Sequence, residues 1–298
     1  MSNEFIIENG ILLRYVEEMP HADIPDDGSV KKIGEEAFMC GSSLITVYIP
    51  DTVEEIGMSA FIFCDNLECV RLPSGLKEIP YAIFMGCSGL YDVNIPKTVT
   101  RVESNAFCDC QSISEITLPS SVTYLGERCF VGCSALKEIA LPDSIKEIKA
   151  SSFEHCESLV KVTLPRFATA LGASCFADCP SLTTIYIPDT VRSIGAFSFA
   201  QCKNLVRIAL PPRLTELSDY CFSDCEKLAE IELPSGIKRI NKGCFDNCKS
   251  LKLISIPDSV SLIGKNAFRG CDSLTIRAKK NSFALDYAIK NGIRIEIY

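Results

Sequence analysis

The 298-residue chain contains no tryptophan and only two histidines, and its 30 basic residues are outnumbered by 38 acidic ones. Binding to nucleic acid or to an anionic membrane surface needs clustered positive charge, which a net charge of −8 does not supply. No apolar run approaches the roughly 18 residues that a membrane span requires. The sequence therefore predicts neither a nucleic-acid-binding protein nor a membrane-spanning one.

Signals for export and for catalysis are also missing. The opening residues, MSNEFIIENG, lack the basic and apolar segments of a signal peptide, so we expect a cytoplasmic protein. No Ser-His-Asp set, phosphate-binding loop or metal motif is present. His21 falls in the N-terminal segment, and His155 falls in a turn beside Cys156, which we expect to face inward. We therefore predict a protein without enzymatic activity and without catalytic, cofactor-binding or metal-binding residues. An enzyme with an unrecognised site is the remote alternative.

A strict repeat dominates what is present. Prolines recur at a step of 23 residues, and an unbroken phenylalanine column of eleven members runs from Phe38 to Phe268 at the same step. The repeat reads L-x-x-I-x-I/L-P-x-x-V-x-x-I-G-x-x-A-F-x-x-C. This period and leucine spacing predict a leucine-rich-repeat solenoid, either α/β or mainly β, with 23-residue repeats. The prolines that define the period are Pro50, Pro73, Pro96, Pro119, Pro142, Pro165, Pro188, Pro211, Pro234 and Pro257.

Each repeat position, or column, has a predicted role. In LVKVTLP, Leu159, Val162 and Leu164 alternate with Lys161 and Thr163, which is the period of a half-buried strand. Successive strands would form a curved parallel sheet on one face, with short turns or helical turns on the other. We expect the repeated glycines to occupy turns that need a positive φ. These glycines are Gly57, Gly126, Gly172, Gly195 and Gly264.

Both ends of the array differ from the repeat. Asn9-Gly10 predicts a hairpin within a cap at 1–23, and eleven repeats follow at 24–274, with a two-residue insertion near Asp27-Gly28 in the first. The second cap, 275–298, reads as a short helix with Asn281 or Ser282 as N-cap and Gly292 after its end. Its final strand would turn Ile293, Ile295 and Ile297 inward and close the sheet edge. We expect one continuous domain and a monomer.

The repeats resemble those of the BspA-like, or Treponema-type, leucine-rich-repeat family. The resemblance rests on CSALKEIALPDSIKEIKASSFEHC and IPDTVRSIGAFSFAQCKNLVRIALP, and the segments FIIENGILLRY and NSFALDYAIKNGIRI resemble the flanks of such arrays. It implies a bacterial protein, because family members are mostly bacterial. Many members are surface or secreted proteins, and some are associated with adhesion to host matrix proteins. The alternative function is therefore an exported cell-surface adhesin that recognises a host matrix protein or glycan.

Seventeen cysteines are present, and most fall in two repeat columns. We expect both columns to be buried for packing, because the second also accepts alanine and serine. The spacing matches no zinc motif, and a defined disulfide framework is not expected. Of the three cysteines outside the columns, Cys40, Cys69 and Cys108, only Cys69 is predicted on the exposed sheet. The first column holds Cys64, Cys87, Cys110, Cys133, Cys156, Cys179, Cys202, Cys225, Cys248 and Cys271, and the second holds Cys129, Cys175, Cys221 and Cys244.

The outward-facing strand positions are the remaining candidates for function. Two clusters stand out: three carboxylates expected to stack on adjacent strands, and Tyr186 near Val160, Val206 and Arg207. Like charges opposed in a sheet are unfavourable, so the carboxylates are either tolerated because they are solvated or kept for a basic protein ligand. We predict a protein-protein interaction scaffold that binds through this face. The candidate residues are Tyr48, Arg71, Asp92, Glu115, Glu138, Lys161, Tyr186, Arg207 and Glu230.

Overall fold

The computed structural model describes residues 4–16 and 19–298. It contains two compact units, Met1–Ile145 and Lys146–Tyr298. Each unit is a β-solenoid built from 23-residue turns, so the predicted fold class is confirmed.

The first unit consists of short strands joined by turns. In chain order they are β1 (Phe5–Glu8), β2 (Ile11–Tyr15), β3 (His21–Asp23), β4 (Lys32–Ile33), β5 (Thr46–Tyr48), β6 (Glu55–Ile56), β7 (Cys69–Arg71), β8 (Glu78–Ile79), β9 (Asp92–Asn94), β10 (Arg101–Val102), β11 (Tyr124–Leu125) and β12 (Glu138–Ala140).

The second unit has the same construction and adds a helix near its end. Its elements are β13 (Glu147–Ile148), β14 (Lys161–Thr163), β15 (Ala170–Leu171), β16 (Ser193–Ile194), β17 (Arg207–Ala209), β18 (Glu216–Leu217), β19 (Glu230–Glu232), β20 (Arg239–Ile240), β21 (Leu253–Ser255), β22 (Leu262–Ile263), β23 (Thr275–Ala278), α1 (Phe283–Lys290) and β24 (Arg294–Ile297).

The first unit begins with the predicted hairpin. Strands β1 and β2 pair antiparallel around Asn9 and Gly10, which adopt φ values of 51° and 78°. Repeat strands then pair parallel in two series, β3-β5-β7-β9 and β2-β4-β6. His21 pairs with Thr46, an offset of 25 residues, whereas other repeat strands pair at 23. The extra two residues fall in a turn where the Ser29 N–H donates to Asp27 Oδ1 at 2.9 Å.

The phenylalanine column forms the centre of each core. Its rings stack at centroid distances of 4.7–5.7 Å from Phe38 to Phe130. They stack at 5.4–5.6 Å from Phe153 to Phe268. Every ring from Phe38 to Phe245 is almost fully buried. One residue type in one column thus fills the core of successive turns.

The first cysteine column makes a specific contact as well as filling space. Within each unit, thiols of this column donate to the carbonyl of the phenylalanine 26 residues earlier, one turn back, as Cys225 Sγ does to Phe199 O at 3.1 Å. The same carbonyl accepts the Cys202 N–H at 3.2 Å. A buried carbonyl has two lone pairs, and the thiol occupies the second. The expectation of simple packing missed this role. Equivalent bonds of 3.0–3.2 Å are made by Cys64, Cys87, Cys110, Cys133, Cys179, Cys202, Cys248 and Cys271.

Two further columns adopt the left-handed backbone conformation in every turn, including many residues that are not glycine. Most of the N–H groups there donate to the next turn, as Ser174 N does to Ala196 O and Asp178 N to Ala200 O, both at 2.8 Å. These bonds compensate for the left-handed conformation, which L-residues otherwise disfavour. One column contains Glu36, Ser59, Ala82, Asn105, Arg128, Ser151, Ser174, Phe197, Tyr220, Gly243 and Asn266, and the other Cys40, Phe63, Gly86, Asp109, Gly132, His155, Asp178, Gln201, Asp224, Asn247 and Gly270.

The repeated glycines do not have the positive φ that we expected, so another property of glycine is needed at these positions. They have ordinary φ values, but a Cβ atom at Gly126 would lie 2.3 Å from Ser104 N. One at Gly172 would lie 2.6 Å from Ala150 N. Glycine allows close approach of consecutive backbones. The same correction applies to Gly57, Gly195 and Gly264.

The C-terminal segment folds as predicted in its helix but not in its last strand. Ser282 caps α1 by accepting the Leu285 N–H, and Gly292 follows the helix at a φ of 66°. Strand β24 pairs parallel with β23 but is exposed along its whole length. Ile295 and Ile297 are therefore not buried, because none of the described turns packs over them, and Ile293 is half-buried.

Candidate functional site: the strand face

The exposed side of the three-residue strands is the strand face, and its residues come from alternate positions. In β17, Arg207 and Ala209 point outward while Ile208 is buried. The same in-out pattern recurs in β12, β14, β19 and β21. Alternation of side chains along a strand thus presents two outward residues per turn.

The predicted site residues lie on this face. Asp92 is half-buried and the others are exposed. Tyr186 has the most exposed side chain among the large hydrophobic residues, at 71%. The exposed members are Tyr48, Arg71, Glu115, Glu138, Lys161, Tyr186, Arg207 and Glu230.

The three carboxylates do not form the continuous stack that we expected. Arg71 Nη2 lies 2.5 Å from Asp92 Oδ2, and this hydrogen bond holds the pKa of Asp92 below its ordinary value. Strand β9 pairs with β7, whereas Glu115 bridges to Glu138. In the pairing found among the described residues, Asp92 and Glu115 are not neighbours. Asp92 is therefore part of an ion pair rather than of a repulsive row.

Tyr186 lies in a groove on the strand face. This Tyr186 groove has a volume of about 1160 Å³ and belongs entirely to the second unit. Val160 and Leu253 line it and expose 51% and 37% of their surfaces. Val206, which we placed in the same cluster, is 44% exposed but is not among the lining residues. Small residues such as Ala209 leave the space above the strands open. Such a groove can accept an apolar side chain.

Charged side chains surround this apolar space. Arg207 is paired in register with Glu230, and Glu232 points outward from the same strand as Glu230. Among the described residues, these three side chains have no ion-pair partner within 4.0 Å. Their charges are thus available to complementary groups on a ligand, with one positive and two negative positions on neighbouring strands.

A second, more polar groove lies in the first unit between the strand segments at 91–97 and 114–120. Its volume is about 760 Å³, and its lining includes Tyr91, Asp92, Lys97 and Glu115. Asp92 is already engaged by Arg71. The lining of this groove also has less apolar surface than that of the Tyr186 groove.

Among the described residues, the histidines and cysteines outside the strand face are not brought together into a chemical centre. His155 is exposed and its Nδ1 lies 2.9 Å from Asp178 Oδ2, while Cys156 is buried. Burial raises the pKa of the Cys202 thiol to about 12, which leaves it protonated and a weak nucleophile. Within residues 4–16 and 19–298, no cluster of three or more potential ligands could hold a metal ion. No helix in the described part of the chain is long and apolar enough to cross a membrane.

Cysteine exposure differs from the prediction outside the columns. Cys40 is exposed, Cys69 is only partly so, and Cys108 is buried. Cys40 belongs to one of the left-handed columns, where side chains such as Phe63 and His155 are also exposed. The column also contains Asp, Asn, Gln and Gly, a composition typical of solvent-exposed turns. That composition would have predicted the exposure of Cys40.

Comparison with known proteins supports the repeat assignment. A family model described as the BspA type leucine rich repeat region matches residues 14–137, 78–186 and 169–291, with six copies. No match is found among curated proteins.

Several solved structures are similar along most of the chain. A leucine rich cell surface protein from Faecalibacterium prausnitzii is 28% identical, with 97% of this chain and 96% of that one covered and a TM-score of 0.57. The Treponema pallidum leucine rich repeat protein is 29% identical over 61% of this chain and 89% of its own, with a TM-score of 0.57. A Bacteroides ovatus leucine-rich repeat protein is 23% identical, covers 100% and 96%, and has a TM-score of 0.61; it supports the fold alone.

Proposed function

Because the chain belongs to the BspA-type leucine-rich-repeat family, we propose that it is a non-enzymatic scaffold that binds a protein partner through the strand face. The observation that carries this proposal is the Tyr186 groove. Repeat scaffolds place variable residues on a constant frame, so their binding function resides in such surface positions.

Tyr186 serves as the anchor of the proposed site. Exposed aromatic side chains contribute large contact areas at low entropic cost and are enriched among the residues that dominate interfaces. Val160 and Leu253 line the same groove and add exposed apolar surface to it. Truncation of a central aromatic anchor commonly costs about 2 kcal/mol or more. The partner would therefore bury an apolar side chain against Tyr186.

The charges beside the anchor define the partner further. Glu230 and Glu232 favour a basic group on the ligand, in line with the basic partner considered from the sequence. Arg207 favours a carboxylate one strand away, at a spacing of about 4.8 Å. We therefore propose a protein segment that carries an apolar residue together with charges of both signs.

Peptide selection tests this proposal directly. A displayed library of random linear peptides is selected on the protein, and an enriched peptide is titrated by fluorescence anisotropy. Tyr186→Ala should weaken binding by roughly thirtyfold or more, as expected for an interface anchor. Tyr81→Ala is the matched control, because Tyr81 is also exposed, at 45%, but lies outside the strand face. Enriched peptides that bind Tyr186→Ala as tightly as the unchanged protein would refute this site.

Adhesion at a cell surface is the second candidate function. It is favoured by the 28% identical Faecalibacterium prausnitzii structure, which is described as a leucine rich cell surface protein. In that case the ligand would be a host matrix protein or glycan, whereas a cytoplasmic scaffold would bind an intracellular protein. Protease treatment of intact native cells separates the two: degradation of the protein before lysis supports the surface assignment, and complete protection excludes it.

A further inference from the structure

The outermost strand of the second unit, β24, presents an uncovered edge. It is last in the sheet order β21-β23-β24, and all four of its residues are exposed. Ile295 and Ile297 leave 37% and 57% of their surfaces accessible, although Ile295 is in register with the fully buried Ile276. An open edge that also exposes apolar side chains is a template for pairing with another strand.

The backbone of β24 determines which groups face the open edge. The Tyr298 N–H donates inward to Ala278 O at 3.4 Å. Since peptide groups alternate along a strand, the N–H and C=O groups of Ile295 and the N–H of Ile297 point away from β23. A second strand centred on Ile295 would therefore meet donors and acceptors in the correct phase.

The side chains of β24 are self-complementary in one register. If two copies pair antiparallel with Ile295 opposite Ile295 of the partner subunit, Arg294 faces Glu296 of the partner subunit, and the reverse contact follows from the two-fold axis. Ile293 then faces Ile297 of the partner subunit on the apolar side. Every cross-strand pair in this register is either of opposite charge or apolar.

Both charged groups are placed to take part. Glu296 Oε1 lies 2.8 Å from Arg277 Nη2 on the neighbouring strand, which holds its carboxylate on the outer side of the sheet. Arg294 has no ion-pair partner within 4.0 Å among the residues the structure describes. Helix α1 packs against β23 and β24 and supports the strand from one side. Strand β24 is thus held in an extended conformation, and the guanidinium group of Arg294 is available to a second chain.

We propose that β24 is a homodimer interface, in which two copies of the chain join by antiparallel pairing centred on Ile295. This replaces the monomer that we expected from the sequence, where these isoleucines were taken to be buried. The two-fold arrangement closes on itself, so it produces a dimer rather than a filament.

Charge-reversal variants test the register. The protein is measured by sedimentation equilibrium across a concentration series, alone and in mixtures, after circular dichroism has shown that each variant is folded. We expect a dimer for the unchanged protein. Arg294→Glu and Glu296→Lys should each weaken it by roughly tenfold or more, because each creates two like-charge contacts across the axis.

A mixture of the two variants should restore dimerisation. In a mixed pair, the carboxylate introduced by Arg294→Glu would face the ammonium group introduced by Glu296→Lys, and the two unsubstituted side chains would face each other as well. Arg192→Glu, an exposed charge reversal elsewhere in the unit, should leave the dimer unchanged. If the unchanged protein is a monomer at all concentrations, the proposal is wrong, even if a different protein pairs with this edge. A dimer that ignores both substitutions, or a mixture that stays monomeric, would overturn the proposed register.

Discussion

Replacing Gly172 with alanine should loosen the contact between two consecutive turns. A Cβ atom at this position would lie 2.6 Å from both Ala150 N and Lys149 C, where ordinary contacts begin at 3.4 Å. The difference, 3.4 − 2.6, is about 0.8 Å, which the backbones must absorb by separating. The Gly172 N–H donates to Ile148 O at 2.7 Å, so this separation would stretch the hydrogen bond beyond its useful range.

The expected magnitude follows from three contributions. Overpacking costs about 1–3 kcal/mol. Loss of one backbone hydrogen bond costs about 0.5–1.5 kcal/mol. Alanine also lowers the conformational entropy of the unfolded chain, which stabilises the folded protein by about 0.4–1 kcal/mol. Together these contributions lower the expected free energy of unfolding of Gly172→Ala by about 0.5–4 kcal/mol. The same column contains Glu103 and Lys149 in other turns, so a backbone spacing that admits a Cβ atom exists and limits the cost.

The matched control is Gly236→Ala in the same unit. A Cβ atom there would meet only Leu214 O, at 3.5 Å, and the backbone is not left-handed. This substitution should be neutral or raise stability by about 0.4–1 kcal/mol. Urea unfolding followed by circular dichroism measures both variants. If the two substitutions change stability equally, close approach of the backbones is not the reason for glycine in this column.

Three other measurements test separate parts of the structure. Deletion after Leu274 removes β23, α1 and β24 and should expose apolar core, so the shortened protein should aggregate, whereas a stable, well-behaved product would contradict the capping role. A thiol reagent should modify exposed Cys40 first and Cys69 more slowly, because burial raises the pKa of Cys69; rapid labelling of the buried columns would be inconsistent with the core. Asp92→Asn should lower the free energy of unfolding by less than about 1 kcal/mol at neutral pH, since the ion pair with Arg71 is exposed. The Arg71 hydrogen bond lowers the pKa of Asp92 in the folded protein from the ordinary value of 3.8. The stability difference between the two proteins should therefore be constant above pH 3.8 and should vanish as the pH falls through the pKa of Asp92 in the folded state. A stability difference that persists in acid would argue against the ion pair.

The repeat architecture could be predicted from the sequence because each column occupies one environment many times. A phenylalanine at every step from Phe38 to Phe268 leaves little choice except a stacked interior, and the alternation in LVKVTLP predicts its strand. The exposed residues around Tyr186 could be assigned to one face for the same reason. Periodic positions are thus predictable even when no single repeat is.

What could not be predicted depends on contacts between turns. Gly172 has the residue type that a positive φ would select, but its reason is a neighbouring backbone, which one repeat read alone does not reveal. The hydrogen bond from Cys225 to Phe199 likewise joins two turns. Arg71 and Asp92 belong to different strands and to different repeat columns. Their ion pair depends on the conformation of the long arginine side chain, which the repeat pattern does not specify. Ile295 alternates as a buried strand residue does, but none of the described turns packs over it.

The thiol-to-carbonyl bonds have a consequence for how such a chain can change in evolution. Within each unit, the phenylalanine carbonyl of one turn accepts from a cysteine thiol of the turn that follows, so the joint between consecutive turns is chemically the same. An in-frame duplication or loss of one 23-residue segment would recreate that joint without new compensating substitutions. The length of the array is then a genetic variable that recombination between repeats can alter in one step. Such an event would bring together strand-face residues that no point mutation could make adjacent.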